Sequence, residues 1–162
     1  MRAAVITVSD SGYAGKREDT SGPAAAQMLR EAGYEVVSVR ILPDGKEMLK
    51  KEFCRLCDED LADLIVTTGG TGFSPRDLTP EATEEIIERK APGIAEAMRL
   101  HSLTITPRAM LSRGTAGIRK QALIINLPGS PKAVRECMEY ILPPLEHGLA
   151  ILKGEAGECA RP

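Results

Sequence analysis

Strand-like and helix-like segments alternate along this chain, and the alternation restricts the fold more than any other feature of the sequence. Short β-branched, apolar runs predict strands over residues 3–9, 35–42, 63–67, 117–120 and 122–126. Helical spacing with start and stop signals predicts helices over residues 23–31, 46–59, 80–89, 92–100 and from 131 toward 152, the last interrupted at Pro143-Pro144. Strands separated by helices need crossover connections. The pattern therefore predicts an α/β fold with a mostly parallel sheet and helices on both faces.

Length and composition limit the classes of protein that remain. The 162 residues correspond to one domain, which we place at residues 1–153, followed by a flexible Gly-, Glu- and Ala-rich C-terminal tail at residues 154–162. A formal net charge of −2 argues against a broad nucleic-acid surface, and five aromatic residues without Trp are too few for base stacking. Apolar runs never exceed four residues, which excludes a transmembrane helix and a signal-peptide core. We therefore expect a cytoplasmic protein with no nucleic-acid or membrane partner.

The four cysteines and two histidines do not indicate a disulfide scaffold or a metal cluster. Cys54 and Cys57 form a CxxC pair in the middle of a predicted helix. A redox CxxC is expected at a helix N-terminus, where the helix dipole lowers a thiol pKa. Ordinary packing is therefore the favoured interpretation of these two cysteines.

Three of the predicted strands lead into loops that are built alike. Each loop has Gly, Ser or Thr before a Pro that suits the first helical position, in Asp19-Thr20-Ser21-Gly22-Pro23, in Thr68-Gly69-Gly70-Thr71-Gly72 with Thr79-Pro80, and in Asn126-Leu127-Pro128-Gly129-Ser130-Pro131. Turn and cap preferences explain any one of these loops equally well. Three loops on one edge favour a shared rim where helix N-termini and glycine backbones bind phosphate. Neither GxxxxGK[ST] nor GxGxxG is present, so the P-loop and Rossmann cradles are excluded.

Two aspartates follow predicted strands near this rim. Asp44 lies in a Pro-Asp-Gly sequence, for which a turn is the simplest interpretation, and Asp77 precedes a helix start, where it would favour the helix dipole. The functional alternative is that one or both hold Mg²⁺, which usually takes one or two protein carboxylates together with substrate phosphates. Anion-binding loops beside such acids fit phosphoryl or nucleotidyl transfer better than hydrolysis by a nucleophilic side chain.

With these motifs in place, the sequence resembles the molybdopterin adenylyltransferases, including the gephyrin G-domain type. The resemblance spans residues 5 to about 150, and its central stretch, Gly69-Gly70-Thr71-Gly72 with Asp77-Leu78-Thr79-Pro80-Glu81, is specific for the wider superfamily. Further matches are Val8-Ser9-Asp10, Pro43-Asp44, Leu111-Ser112-Arg113, Gly117-Ile118-Arg119 and the loop from Asn126 to Pro131. The Leu-Ser-Arg and Gly-Ile-Arg pieces favour the adenylyltransferase branch.

The resemblance implies a single three-layer αβα domain that assembles as a homotrimer. It implies that Mg²⁺-ATP adenylylates molybdopterin, releasing pyrophosphate, and that a downstream molybdate-inserting protein receives the product. Asp44 and Asp77 match the family's functional aspartates and are the expected catalytic and Mg²⁺-binding residues. The expected nucleotide and phosphate residues are Thr68, Gly69, Gly70, Thr71 and Gly72. The expected molybdopterin residues are Ser9, Asp10, Thr20, Ser21, Gly22, Ser112, Asn126, Pro128 and Gly129.

Two other functions stay open at this point. One is another nucleotide-processing, sulfur-handling or molybdate-handling enzyme of the same superfold. The other is a non-catalytic molybdopterin-binding or scaffold module, against which the presence of both Asp44 and Asp77 argues. Arg76, Arg113 and Arg119 are further candidates for binding anions, although a salt-bridged or solvated arginine is the more common case.

Overall fold

The computed structural model describes residues 1–155. Its strands are β1 (Arg2–Val8), β2 (Glu35–Leu42), β3 (Leu64–Thr68), β4 (Arg89–Lys90), β5 (Ala116–Arg119) and β6 (Ala122–Leu127). Its helices are α1 (Asp10–Tyr13), α2 (Ser21–Glu31), α3 (Lys46–Asp58), α4 (Thr79–Glu84), α5 (Pro92–Leu103), a 3-10 helix (Pro107–Leu111) and α6 (Pro131–Leu152). Most of the predicted tail lies outside the described residues, so the domain boundary at 153 stays a prediction.

The six strands form one mostly parallel sheet, as predicted. Their order is β2-β1-β3-β6-β5-β4. The pairs β1–β2, β1–β3 and β3–β6 are parallel, whereas β5 and β4 add antiparallel to the edge beyond β6. Because β1, β3 and β6 are adjacent and parallel, the three similar loops that follow them meet at one edge of the sheet.

Helices cover both faces of the sheet and give the expected three layers. Alternate residues of β1 enter opposite cores, with Ala3 and Val5 facing α2, α5 and α6, and Ala4 and Ile6 facing α3 and α4. The central strand β3 is buried along its whole length, as parallel strands between two helical layers usually are. No helix within residues 1–155 is long and apolar enough to cross a membrane.

The predicted interruption of the last helix is wrong. The helix α6 runs continuously through Pro143 and Pro144, both of which are exposed. Each proline removes one backbone hydrogen bond. The carbonyl groups that lose a partner are those of Glu139 and Tyr140, and both residues are exposed to solvent. The buried side of α6 keeps the helix in place through residues such as Leu145 and Leu149.

The predicted helix over residues 80–89 is also wrong in its second half. Helix α4 ends at Glu84, and the chain then forms β4, where Arg89 pairs with Ile118 of β5. The Glu88 N–H donates to the Ile118 carbonyl at 2.8 Å, so the unpaired edge of β5 competes successfully with further helix. Sequence patterns also missed α1 and the 3-10 helix, which are both short.

Candidate functional site

A cleft of about 360 Å³ lies at the carboxyl edge of the sheet, where the three similar loops meet. Open parallel sheets usually bind ligands at this edge. Its wall contains five of the predicted site residues, Ser9, Thr20, Thr68, Gly69 and Gly129. The unpredicted residues that complete it include Thr7, Arg17, Glu18, Asp19 and Ser130. The three loops therefore meet at one rim, as predicted, and phosphate binding at that rim stays a prediction.

The glycine loop after β3 is held rigidly against the neighbouring backbone. Gly69 (φ +95°) and Gly70 (φ +65°) adopt the left-handed conformation that favours glycine. A Cβ on Gly69 would overlap the Val8 carbonyl oxygen, and one on Gly70 would overlap the Thr79 hydroxyl. The Thr79 hydroxyl itself donates to the Gly69 carbonyl at 3.0 Å. The loop therefore tolerates no side chain at these two positions.

The same loop presents backbone donors. The N–H of Gly69 donates to the Leu127 carbonyl, but no hydrogen bond within residues 1–155 uses the N–H groups of Gly70, Thr71 or Gly72. Consecutive N–H groups in a left-handed turn form a concavity suited to an anion. The geometry thus fits the predicted phosphate cradle.

The N-terminus of α2 differs from its prediction. Its first N–H groups are not free, because Asp19 Oδ1 accepts hydrogen bonds from the N–H groups of Ser21 and Gly22, each at 3.0 Å. Asp19 Oδ2 accepts the Thr7 hydroxyl at 2.6 Å. A Cβ on Gly22 would overlap the Thr7 hydroxyl, which explains the glycine. Ser21 and Gly22 are buried and support the cleft from behind, whereas Thr20 lines it.

The prediction that proline occupies the first position of each helix at the rim also holds only in part. Pro131 is the first residue of α6 and Pro80 the second residue of α4, but Pro23 is the third residue of α2. Asp19 carries the capping role in α2, two residues before the helix begins. Its signal in the sequence is the Asp that precedes Thr20-Ser21-Gly22, a residue type that commonly caps helices.

Asp44 lies close to Asp10 and to the loop that carries Asp77. The Asp10 N–H donates to Asp44 Oδ2 at 2.8 Å, and the Asp44 N–H donates to Asp10 Oδ1 at 3.0 Å. Burial raises the pKa of Asp44, and the negative charges of Asp10 and Asp77 add to that effect. Arg76 holds the pKa of Asp10 below its usual range by bonding to both of its carboxylate oxygens, at 2.6 and 2.9 Å.

Asp77 lies directly beside the glycine loop. A Cβ on Gly72 would come within 2.8 Å of Asp77 Oδ2, which also accepts the Ser74 N–H at 3.0 Å. Arg113 holds this segment from behind, because its guanidinium donates to the carbonyl groups of Gly72 and Asp77 and to Glu81. Arg113 is thus a salt-bridged arginine, the more common case expected from the sequence, and it positions the segment that carries Asp77.

The acidic residues fit a magnesium ion that arrives with a nucleotide. Within residues 1–155, no three His, Cys, Asp or Glu side chains converge as a complete ligand set. Mg²⁺ does not need such a set, because it keeps several waters and commonly takes one or two carboxylates plus phosphate oxygens. Asp44 and Asp77 carry hard carboxylate oxygens of that kind, and Asp77 lies beside the glycine loop.

Three predicted molybdopterin residues border a second cavity, on the other side of the β6–α6 loop. Ser112, Asn126 and Pro128 line this space of about 210 Å³, which lies between α5, the 3-10 helix and α6. The Asn126 amide is already engaged, donating to Thr67 and Thr83 at 3.2 and 2.9 Å. Asn126 therefore ties β6 to its neighbours, whatever it contributes to a ligand.

The remaining side chains that the sequence singled out lie away from the cleft. Burial raises the pKa of the Cys57 thiol to about 12, which suits a packing cysteine and opposes a redox role. Arg119 forms a bidentate pair with Asp58, with both distances 2.8 Å, at the opposite end of the sheet. Arg119 is thus a salt-bridged arginine and does not take part in the rim.

Fold and site together define a three-layer α/β domain whose glycine loop and two strand-end aspartates, Asp44 and Asp77, share one edge of the sheet. Comparison with known proteins then identifies the family. Residues 4–147 match the family described as probable molybdopterin binding domain. The chain belongs to this family, which confirms the resemblance seen in the sequence.

Similar proteins carry names consistent with the family. The chain is 43% identical over 152 residues to the molybdopterin adenylyltransferase of Helicobacter pylori (strain ATCC 700392 / 26695), covering 93% of this chain and 86% of that protein. It is 41% identical over 144 residues to that of Escherichia coli (strain K12), covering 87% and 73%. The crystal structure of the molybdopterin biosynthesis enzyme MoaB from Thermus thermophilus superposes with a TM-score of 0.90 at 47% identity, covering 97% of this chain and 99% of that one.

Proposed function

We propose that this protein is a molybdopterin adenylyltransferase, which transfers the adenylyl group of ATP to molybdopterin and releases pyrophosphate. The observation that carries the proposal is the contact between Asp77 and the glycine loop, with Asp44 alongside. Through this contact, the glycine loop and the two carboxylates of Asp44 and Asp77 lie at one edge of the sheet. The names of the relatives at 41% and 43% identity support the same reaction.

The reaction we propose is in-line nucleotidyl transfer. A terminal phosphate oxygen of molybdopterin attacks the α-phosphorus of ATP, and the bond to the pyrophosphate oxygen breaks. Such chemistry depends on alignment and charge neutralisation and needs little covalent help from the protein. The N–H groups of Gly70, Thr71 and Gly72 would bind phosphate oxygens, and Asp44 and Asp77 would hold the metal. Mg²⁺ would neutralise charge that develops on the transferring phosphate.

The pterin side is assigned to the cleft wall and its surroundings. Ser9, Thr20 and Gly129 offer small polar or backbone groups within the cleft, and Asp10 follows Ser9 in the chain and bonds to Asp44. Ser112 and Pro128 line the second cavity, and Pro128 belongs to the same β6–α6 loop as Gly129. ATP as the co-substrate accords with the cytoplasmic location expected from the sequence.

We further propose that the enzyme works as a homotrimer. Exposed apolar side chains cluster on the end of α5 and the 3-10 helix, where Leu100 is 67% and Met110 64% exposed, with Leu103, Ile105 and Leu111 nearby. Patches of this kind commonly mark protein interfaces. Sedimentation equilibrium at micromolar concentration should give three times the chain mass, and a monomer would contradict the proposal. A molybdate-inserting protein is the expected recipient of the product.

The decisive experiment incubates the protein with molybdopterin and Mg²⁺-ATP and measures pyrophosphate. We expect stoichiometric pyrophosphate and adenylylated molybdopterin, both dependent on molybdopterin and on the metal. Binding of molybdopterin without pyrophosphate release would identify a non-catalytic module. ATP turnover that ignores molybdopterin would identify a different nucleotide-processing enzyme.

A further inference from the structure

Arg76 joins the three loops that carry Asp10, Asp44 and Asp77. Its Nε and Nη2 donate to the two carboxylate oxygens of Asp10, after β1, at 2.6 and 2.9 Å. Nη2 also donates to the backbone carbonyl of Asp44, after β2. Arg76 itself lies in the loop after β3, next to Asp77. One guanidinium therefore ties together the loops that carry both proposed metal ligands.

The guanidinium is the counter-charge for two neighbouring carboxylates, Asp10 and Asp44. Asp10 and Asp77 both act on Asp44 as like charges, and Arg76 opposes them. Among residues 1–155, the ion pairs of Asp10 include only that with Arg76, and neither Asp44 nor Asp77 has a salt-bridge partner. Removal of Arg76 would leave the charges of Asp10 and Asp44 uncompensated, with the charge of Asp77 also acting on Asp44.

The pair is also open to solvent. The Arg76 side chain is 62% exposed and that of Asp10 46%, so water and salt screen the attraction between them. The Nη1 group has no acceptor among the hydrogen bonds of the described residues. The side chain therefore has an unused donor and lies where an incoming anion can reach it.

We propose that Arg76 is an internal counter-cation that competes with a divalent metal at this site and transfers to the phosphates when the metal arrives with a nucleotide. The proposal rests on the metal-binding role proposed above for Asp44 and Asp77. A bare cation must displace Arg76 or bind beside a positive charge. A metal–nucleotide complex brings phosphate oxygens that accept the planar guanidinium in a bidentate manner. Arg76 thereby favours the metal–nucleotide complex over the free metal.

The test measures Mn²⁺ binding without nucleotide, by the electron paramagnetic resonance signal of free Mn²⁺, on the full-length protein at low ionic strength. Arg76→Gln should bind Mn²⁺ about fivefold more tightly than the wild type, as expected for loss of one nearby positive charge near a protein surface. Arg76→Lys keeps the charge and should bind close to the wild type. The gain should shrink at high salt because the charges are partly exposed.

Arg119→Gln is the matched control, because it also removes an arginine from a bidentate pair with an aspartate, at the opposite end of the sheet. It changes the net charge equally and should leave Mn²⁺ affinity unchanged. In the double variant Asp44→Asn/Arg76→Gln the gain should disappear. Equal affinities of Arg76→Gln and Arg119→Gln, or weaker binding by Arg76→Gln, would overturn the proposal.

Adenylyl transfer by the wild type is measured separately, so the two proposals fail independently. Pyrophosphate release with no Mn²⁺ effect in Arg76→Gln would leave the enzyme activity standing and remove the counter-cation. A Mn²⁺ effect without pyrophosphate release would keep the competition and reject the adenylyltransferase.

Discussion

At the scale of single residues, the site depends on where a few side chains and missing side chains lie relative to the backbone. Asp77 and the Cβ-free Gly72 occupy adjacent space, and Arg113 holds the carbonyl groups of both residues. Small changes here should alter chemistry far more than folding, because the carboxylate of Asp77 projects from a loop and supports no buried core.

Asp77→Asn should lower the rate of pyrophosphate release by about 10²-fold or more, because it removes the charge that faces the metal and keeps an acceptor for the Ser74 N–H. The free energy of unfolding should change by less than about 1 kcal/mol. Turnover and a melting curve check the two effects. Asp60→Asn, at an exposed aspartate beside Arg2, is the control and should keep full activity. Unfolding of Asp77→Asn would make Asp77 a structural residue.

Gly72→Ala tests the cradle better than substitutions at Gly69 or Gly70, where positive φ and backbone overlap would destabilise the fold itself. The added methyl group of Gly72→Ala meets only Asp77, with Oδ2 at 2.8 Å. We therefore expect a loss of about tenfold or more in kcat/KM for Mg²⁺-ATP, since small displacements of reacting groups are costly. Gly148→Ala, where a Cβ has open space, is the control. An unchanged kcat/KM would show that Asp77 need not lie against the loop.

At the scale of elements, two departures from the predicted structure lie at the ends of helices and strands. Asp19 caps the start of helix α2. Its carboxylate accepts hydrogen bonds from the first N–H groups of the helix and from the Thr7 hydroxyl of β1. Strand β4 forms because the edge of β5 offers partners that an isolated segment lacks. Both outcomes depend on neighbours distant in sequence or on side chains outside the helix, so local periodicity did not predict them.

Asp19→Ala should lower the free energy of unfolding by about 1 to 2 kcal/mol, because it removes the helix cap and the partner of the Thr7 hydroxyl. Chemical denaturation monitored by circular dichroism measures the change. Thr20 makes no side-chain capping bond, so Thr20→Ala should stay within about 0.5 kcal/mol of the wild type. Equal losses in the two variants would mean that Asp19 is not the cap.

At the scale of the whole molecule, one buried carboxylate links the two ends of the described chain. Asp63, at the start of β3, accepts the Arg2 N–H at 2.7 Å and forms ion pairs with Arg2 and Lys153, each at 2.8 Å. Its side chain is 3% exposed. Burial alone would raise the pKa of Asp63, but the hydrogen bonds from Arg2 and Lys153 hold it well below its usual range.

Asp63→Asn should destabilise the protein by about 2 kcal/mol at pH 7, because it removes the charge partner of Lys153 and leaves Arg2 paired with the exposed Asp60. The depressed pKa makes the contribution of Asp63 fully present above its unfolded pKa of about 3.9, and protonation removes it as the pH falls. The difference in unfolding free energy between wild type and variant should therefore narrow below about pH 4. A difference that is constant from pH 7 to pH 3 would contradict the assignment.

The sequence by itself determined the class of fold and the edge that carries the site. Period-two and helical patterns of apolar residues reflect burial on each face, so they revealed the alternation, and the parallel sheet followed from crossover geometry. The glycine loop after β3 and the positions of Asp44 and Asp77 followed from the same logic. The family was recognisable from the Gly69-to-Glu81 stretch. In this stretch the close backbone contacts of Gly69 and Gly70 leave no room for a side chain.

Only the tertiary structure decided which polar groups are already used. Asp19 satisfies the α2 N-terminus, Asn126 is bonded to Thr67 and Thr83, and Arg76 bridges to Asp10. The continuity of α6 through Pro143 was likewise decided by its burial against α5 and the sheet. The pairing of Asn126 with Thr83 joins residues 43 positions apart, and that of Arg76 with Asp10 joins residues 66 positions apart. Such pairings depend on distances and competing partners that exist only once the chain has folded, so no local pattern encodes them.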